Sequence, residues 1–223
     1  MKRSEIDRYI DVAIDFFRKN AFYLPSWAFF SPAEWKTKGT EYDEIRLAGL
    51  GWDITDFGKQ RFSEEGLILF TIRNGYPART PSKTYCEKIM IAGENQVTPT
   101  HFHWKKMEDI INRGGGDLYL QLWKADRLTE EMTDLPFSMK IDGVEHTFHA
   151  GDIVRLKPGE SICFEPYFYH KFWAERAPVL IGEVSTVNDD TNDNRFLESL
   201  GRFPEIIEDA PPRYCLCNDY FCT

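Results

Sequence analysis

Between Leu67 and Val184 the chain breaks into short runs rich in Ile, Leu, Phe, Val and Tyr, each bounded by Gly, Pro, Asn or Asp. The runs are Leu67 to Arg73, Tyr85 to Ile91, Gln96 to Trp104, Leu118 to Trp123, Phe137 to Ile141, Val144 to His149, Asp152 to Leu156, Ser161 to Phe164, Tyr169 to Glu175 and Val179 to Val184. Evenly spaced runs with tight turns between them predict an all-β, antiparallel sandwich or barrel. In "IDGVEHTF", Asp142-Gly143 joins two extended runs and predicts a tight hairpin.

The start of the chain follows another period. Ile6, Ile10, Ala13 and Phe17 recur every three or four residues, which predicts an amphipathic helix over residues 4–19. Ser31, Pro32 and Glu34 supply an N-cap, a first-turn proline and a capping-box acid for a second short helix. The 223 residues, 42% hydrophobic and 15% aromatic, suffice for one substantial core. The expectation is therefore a single domain over 1–223, with a helical N-terminal extension (1–45), a β-barrel core (60–190) and a C-terminal segment (191–223) packed on the barrel.

Composition narrows the function classes. A net charge of −9 repels a phosphate backbone, and no Lys/Arg block counters it, so nucleic acid is not an expected partner. No apolar run reaches the roughly 18 residues of a membrane span, and the N-terminus is too charged for a signal peptide. A cytoplasmic protein is expected. Five cysteines, an odd number, read as reduced thiols, and this reading is preferred to a zinc site for Cys215, Cys217 and Cys222. No G-x-S-x-G elbow, G-x-G-x-x-G loop or Walker loop is present.

The chemistry concentrates in "TPTHFHWKKMEDIINRGGG". On a strand, alternation turns His101 and His103 to one face. Glu108 follows closely, and "YFYHKFW" brings His170 from a later strand. Three imidazoles and a carboxylate form a mixed nitrogen and oxygen donor set suited to one divalent cation, Mn²⁺, Fe²⁺, Co²⁺, Ni²⁺ or Zn²⁺. Lys88 has the parity to point into the barrel, where a buried ammonium suits proton transfer or an oxyanion. Glu183 follows an apolar run on the last barrel strand, where an inward carboxylate is hard to explain as packing. These two are the expected proton-transfer residues. His146 and His149, three apart, face opposite sides and read as hairpin or core residues. The polar stretch Thr186 to Asn194 reads, residue by residue, as a solvated loop, although its place after Glu183 could bring amides and carboxylates to a barrel mouth.

The series Gly93, His101-x-His103, Glu108, then Gly159, Pro166 and His170 resembles the two motifs of the cupin superfamily. The stretches "HFHWKKMEDIINRGGGDLYLQLW", "PGESICFEPYFYHKFWAE" and "GEVSTVNDDTNDNRF" are similar to the D-lyxose isomerases. One departure is the absence of glycine between Pro166 and His170. The resemblance implies a cupin double-stranded β-barrel, or jelly roll, and a homodimer. It also implies one divalent metal, manganese first, held by His101, His103, Glu108 and His170. The implied activity interconverts D-lyxose and D-xylulose, and also D-mannose and D-fructose, by proton transfer through a metal-stabilised cis-enediol. Alternatives are another cupin enzyme, such as a phosphosugar isomerase or an Fe²⁺ dioxygenase, and a non-catalytic sugar-binding cupin. A phosphate ester would need a cluster of cations, for which Arg73, Arg79, Lys88 and Arg155 are the barrel-region candidates.

Overall fold

The computed structural model describes residues 1–220, so Cys222 lies outside the described residues. The first turn of α1 (Arg3–Lys19) is followed by the expected apolar stripe, and Ile6, Ile10, Ala13 and Phe17 are all buried. At α2 (Pro32–Trp35) the Ser31 side chain accepts the Glu34 amide while the Glu34 carboxylate accepts the Ser31 amide, the reciprocal cap that the sequence implied. A further short helix, α3 (Asp43–Leu47), leads into the sheet.

The strands are β1 (Gly51–Thr55), β2 (Leu67–Arg73), β3 (Tyr85–Ala92), β4 (Val97–Phe102), β5 (Glu108–Ala125) and β6 (Met132–Thr133). They continue as β7 (Phe137–Ile141), β8 (Val144–Phe148), β9 (Ile153–Leu156), β10 (Ser161–Phe164), β11 (Phe168–Thr186) and β12 (Arg195–Phe196). All are antiparallel and run in the order β1-β2-β3-β11-β5-β10-β7-β8, with β4 on β11 and β9 on β5. The fold is of the expected all-β class, one antiparallel sheet with helices at its N-terminus. The Asp142-Gly143 turn has positive φ at both residues, as a type I′ hairpin requires.

Two cores explain the direction of each side chain. Leu67, Leu69, Met90, Ile110, Leu120 and Phe172 fill the barrel interior. Ile68, Phe70, Ile89, Ile91 and Leu180 face the other way and pack, with Trp52, under α1. Strands β2 and β3 are thus covered on both faces. Because Ile89 and Ile91 belong to the outer core, alternation sends Lys88 and Met90 inward. β1 has no alternating pattern to betray it, since all five of its residues are buried.

β5 and β11 are longer than the runs visible in the sequence because they turn a corner together. The ladder between them shifts register between Glu175 and Val179 and again between Leu180 and Ile181. Arg176, Gly114 and Gly115 take positive φ there. A Cβ at Gly115 would collide with the Pro178 carbonyl oxygen, so the corner needs glycine. Straight, β11 would hold His170 and Glu183 roughly 40 Å apart. Bent, it delivers both to one cavity.

The helix-to-sheet contact is testable. The Phe17 ring lies nearly parallel to Trp52 at 6.0 Å and is 1% exposed. Phe17→Ala is expected to cost about 3–5 kcal/mol in urea unfolding, the usual penalty for emptying a buried aromatic site. A loss under about 1 kcal/mol would mean that α1 is not anchored through this residue.

Candidate metal centre and active site

One cavity inside the barrel is lined by all six of the expected site residues, Lys88, His101, His103, Glu108, His170 and Glu183. His101 sits near the end of β4, and His170 on β11 pairs with it in register. His103 lies just past the end of β4, and Glu108 opens β5. The three imidazoles are buried, and their ligand nitrogens lie within 4.8 Å of one another.

Each ring is oriented by a backbone carbonyl. The Nδ1–H of His101 donates to Pro99 at 2.8 Å, that of His103 to Asp193 at 2.6 Å, and that of His170 to Phe168 at 3.2 Å. A ring that donates through Nδ1 presents its Nε2 lone pair, which is the ligand form. Burial, reinforced by the neighbouring imidazoles, holds His101 well below its usual pKa. Burial likewise pushes His170 down to about 4. Both are therefore neutral near pH 7.

The Glu108 Oε1 atom lies 3.2 Å from His103 Nε2 and 3.4 Å from His170 Nε2. Burial opposes the charge on Glu108, but Lys106, His103 and His170 outweigh it and hold the carboxyl well below the usual carboxylate range. Oε1 of Glu108 and Nε2 of His103 are buried without a hydrogen-bond partner. Two orphaned acceptors facing each other are costly unless a cation sits between them. This donor set fits a divalent metal.

Beside it lies an ion-pair network. Glu183, 4% exposed, pairs in register with Lys88, and its Oε1 is 3.4 Å from Lys88 Nζ. Lys106 Nζ bridges Glu183 at 2.9 Å and Glu108 at 2.7 Å. Burial opposes ionisation of Glu183, yet Lys106 and Lys88 together lower its pKa. Lys88 also donates to Asn188 Oδ1 at 2.7 Å and lies 3.6 Å from Asp190. Arg202 pairs with Asp190 at 3.2 Å and Asp53 at 2.7 Å, and its Nη1 has no partner.

Lys106, Asn188, Asp190, Asp193 and Arg202 are the residues that sequence reasoning missed. Lys106 stands in a Lys-Lys pair that reads as surface. Asn188 and Asp190 belong to the stretch read as a solvated loop, which is instead docked on the site. Asn74 holds its near end, donating to the Asn188 carbonyl and accepting the Asn188 amide, both at 3.0 Å. Arg202 comes from the segment after the barrel, where no motif marks it.

The other expectations sort cleanly. His146 and His149 are exposed at the β8 hairpin. Cys215 is buried and Cys217 half-buried, both as free thiols. Among the described residues, the grouping with metal-ligand spacing is His101, His103 and His170. Tyr167, between Pro166 and His170, takes the left-handed conformation, φ 68°. Its amide donates to the His103 carbonyl at 3.0 Å and its ring stacks on Phe102 at 5.2 Å, which compensates the strained backbone. Among the described residues, no helix is long and apolar enough to cross a membrane.

Comparison with known proteins agrees with this picture. Solved structures that superpose on the chain include the L-ribose isomerase of Cellulomonas parahominis with L-ribose, with TM-score 0.61 and 16% identity over 93% of this chain and 98% of that one. The L-ribose isomerase of Geodermatophilus obscurus superposes with TM-score 0.62 and 16% identity over 92% and 98%. At this identity the likeness concerns the fold. In sequence, the D-lyxose/D-mannose isomerase of Serratia proteamaculans is 48% identical over 99% of this chain and 98% of its own length. That of Escherichia coli O157:H7 is 49% identical over the same shares. The D-lyxose isomerase family profile matches residues 1–220. The chain belongs to the D-lyxose isomerase family of aldose–ketose isomerases.

Proposed function

We propose that this protein is a divalent-metal-dependent isomerase that interconverts D-lyxose and D-xylulose, and also D-mannose and D-fructose, by proton transfer through a cis-enediol. The observation that carries this reading is the convergence of His101, His103, His170 and Glu108, with two orphaned acceptors, beside a buried Glu183 clasped by two lysines. Those four residues would hold one ion, manganese first, with cobalt, nickel, iron or zinc as substitutes. When bound, a divalent cation polarises adjacent carbonyl and hydroxyl oxygens of a sugar.

The chain's own groups do the rest. Glu183 is ionised and takes the proton from one sugar carbon and returns it to the next. Lys88, held by Asn188, sets an ammonium beside that carboxylate and moves or stabilises charge on the neighbouring oxygen. Lys106 keeps Glu108 and Glu183 in fixed relation.

The charge pattern favours an unphosphorylated sugar. Arg73 pairs with Glu87 and Arg155 with Asp117, while Arg79 lines a separate surface hollow. Of the four candidate cations only Lys88 reaches the cavity; Lys106 and Arg202 line it as well, but all three are paired with carboxylates, those of Glu108, Glu183, Asp190 and Asp53. A phosphate dianion would meet Glu183 and Asp190. A homodimer in the cytoplasm completes the proposal. Tyr85, Met107 and Val184, exposed around Thr186 at one end of the sheet, supply apolar surface for a second copy.

The test is an assay of purified protein on D-lyxose, D-mannose and fructose 6-phosphate, before and after chelation. Turnover of the free sugars should fall to background when the metal is stripped and return with Mn²⁺. A preference for the phosphate ester, or full activity after chelation, would overturn the reading.

A further inference from the structure

We propose that Asp193 is a positioning residue that ties the loop after β11 to the link between His103 and Glu108, and so keeps the His103 ring and the Lys106 ammonium in one arrangement. For its kinetic readout this rests on the isomerase reading above; its metal-binding readout does not.

Residues 104–107 run between β4 and β5 outside the ladder, so their amides need partners elsewhere. Asp193 supplies two of them. Its Oδ1 accepts the Lys105 amide and its Oδ2 the Lys106 amide, each at 2.9 Å. The same residue's carbonyl accepts the Nδ1–H of His103 at 2.6 Å. One residue, 5% exposed, thereby grips both a proposed metal ligand and the backbone that carries Lys106.

The geometry gives the grip a consequence. Lys106 Nζ must reach Glu108 Oε2 and Glu183 Oε1 at once. Its long side chain can do so only if its own backbone is fixed relative to both. A carboxylate accepting two successive amides is a charge-assisted clamp that fixes it. The Asp193 amide in turn donates to the Asp189 carbonyl at 3.0 Å, so the clamp belongs to a closed turn and not to a free tail. A different tie acts on the far side of the link. The Met107 amide donates to Thr186 Oγ1 at 3.2 Å, at an exposed position. Water can replace that bond, whereas the Lys106 amide is buried against Asp193 and the Lys105 amide part-buried.

Asp193→Asn tests this. The amide keeps the size of the side chain and the residue's carbonyl, but sets an NH₂ group against one backbone N–H, donor to donor. Calorimetric titration of Mn²⁺ into the metal-free protein should give an affinity weaker by about 10- to 100-fold, the range for groups that orient metal ligands. On D-lyxose, kcat should fall by a similar factor with KM changed less than about threefold. The melting temperature of the metal-free variant should stay within a few degrees of the parent, whereas a merely structural role would lower it and leave metal affinity alone. Thr186→Val should leave Mn²⁺ affinity within about twofold.

Hydrogen exchange on the parent needs no variant to fold. The Lys105 and Lys106 amides should exchange at least about 100-fold more slowly than an open loop, despite lying outside the ladder. Exchange at open-loop rates, or Mn²⁺ affinity within twofold of the parent in Asp193→Asn, overturns the proposal. A parent that turns over no sugar while Asp193→Asn still weakens Mn²⁺ binding removes the isomerase reading and leaves the clamp standing.

Discussion

Replacing Glu183 by glutamine is expected to lower kcat on D-lyxose by about 10²- to 10⁴-fold, the contribution of a positioned general base, while leaving metal content unchanged. The side chain is 4% exposed and lies 2.9 Å from Lys106 and 3.4 Å from Lys88. Those two ammonium groups overcome the burial penalty and keep the carboxyl ionised. Glutamine fills the same space and accepts a hydrogen bond from Lys106, but it cannot take a proton. Since Glu183 is not among the four residues assigned to the ion, metal analysis separates loss of the base from loss of the site. Turnover within about threefold of the parent would remove Glu183 from the mechanism and leave Lys88 as the remaining candidate of the expected pair.

The second large effect is expected for His170→Ala, which should bring bound manganese from about one ion per chain to near none and take activity to background. His170 is 1% exposed and comes from a strand remote in sequence from the other three ligands, so nothing nearby can replace it. A thermal readout accompanies the chemical one. In the parent, Mn²⁺ at about a thousand times its Kd should stabilise the fold by roughly 4 kcal/mol, seen as a rise in melting temperature. In the variant that rise should vanish. A variant that retains stoichiometric metal would show that the ion is held by other groups, and the whole assignment would fall with it.

The parts of this arrangement that alternation controls were readable from the residues. His101 and His103 share a face because they are two apart, and Lys88 points inward because Ile89 and Ile91 must reach the core under α1. The Ser31 cap and the Asp142-Gly143 hairpin are local as well, each decided within four residues. β1 escaped because burial on both faces erases the period of two.

Lys106, Asn188, Asp190, Asp193 and Arg202 escaped for a different reason. Their types are common on surfaces and in loops, and each gains its role from a partner 75 or more residues away, as Lys106 does from Glu183 and Asp193 from Lys105. No spacing rule connects such pairs.

The sequence by itself determined the β class, the helical start, the donor types and the inward parity of Lys88, because these follow from local sterics and from which face of a strand must leave water. Only the tertiary structure decided that β5 and β11 bend at Gly114, Gly115 and Arg176, bringing Glu183 beside His170, and that the 187–194 loop closes over them. The reason is physical: a corner in a sheet and the pairing of distant charges are set by long-range packing and by the burial of ions that must find one another, and neither leaves a periodic mark along the chain.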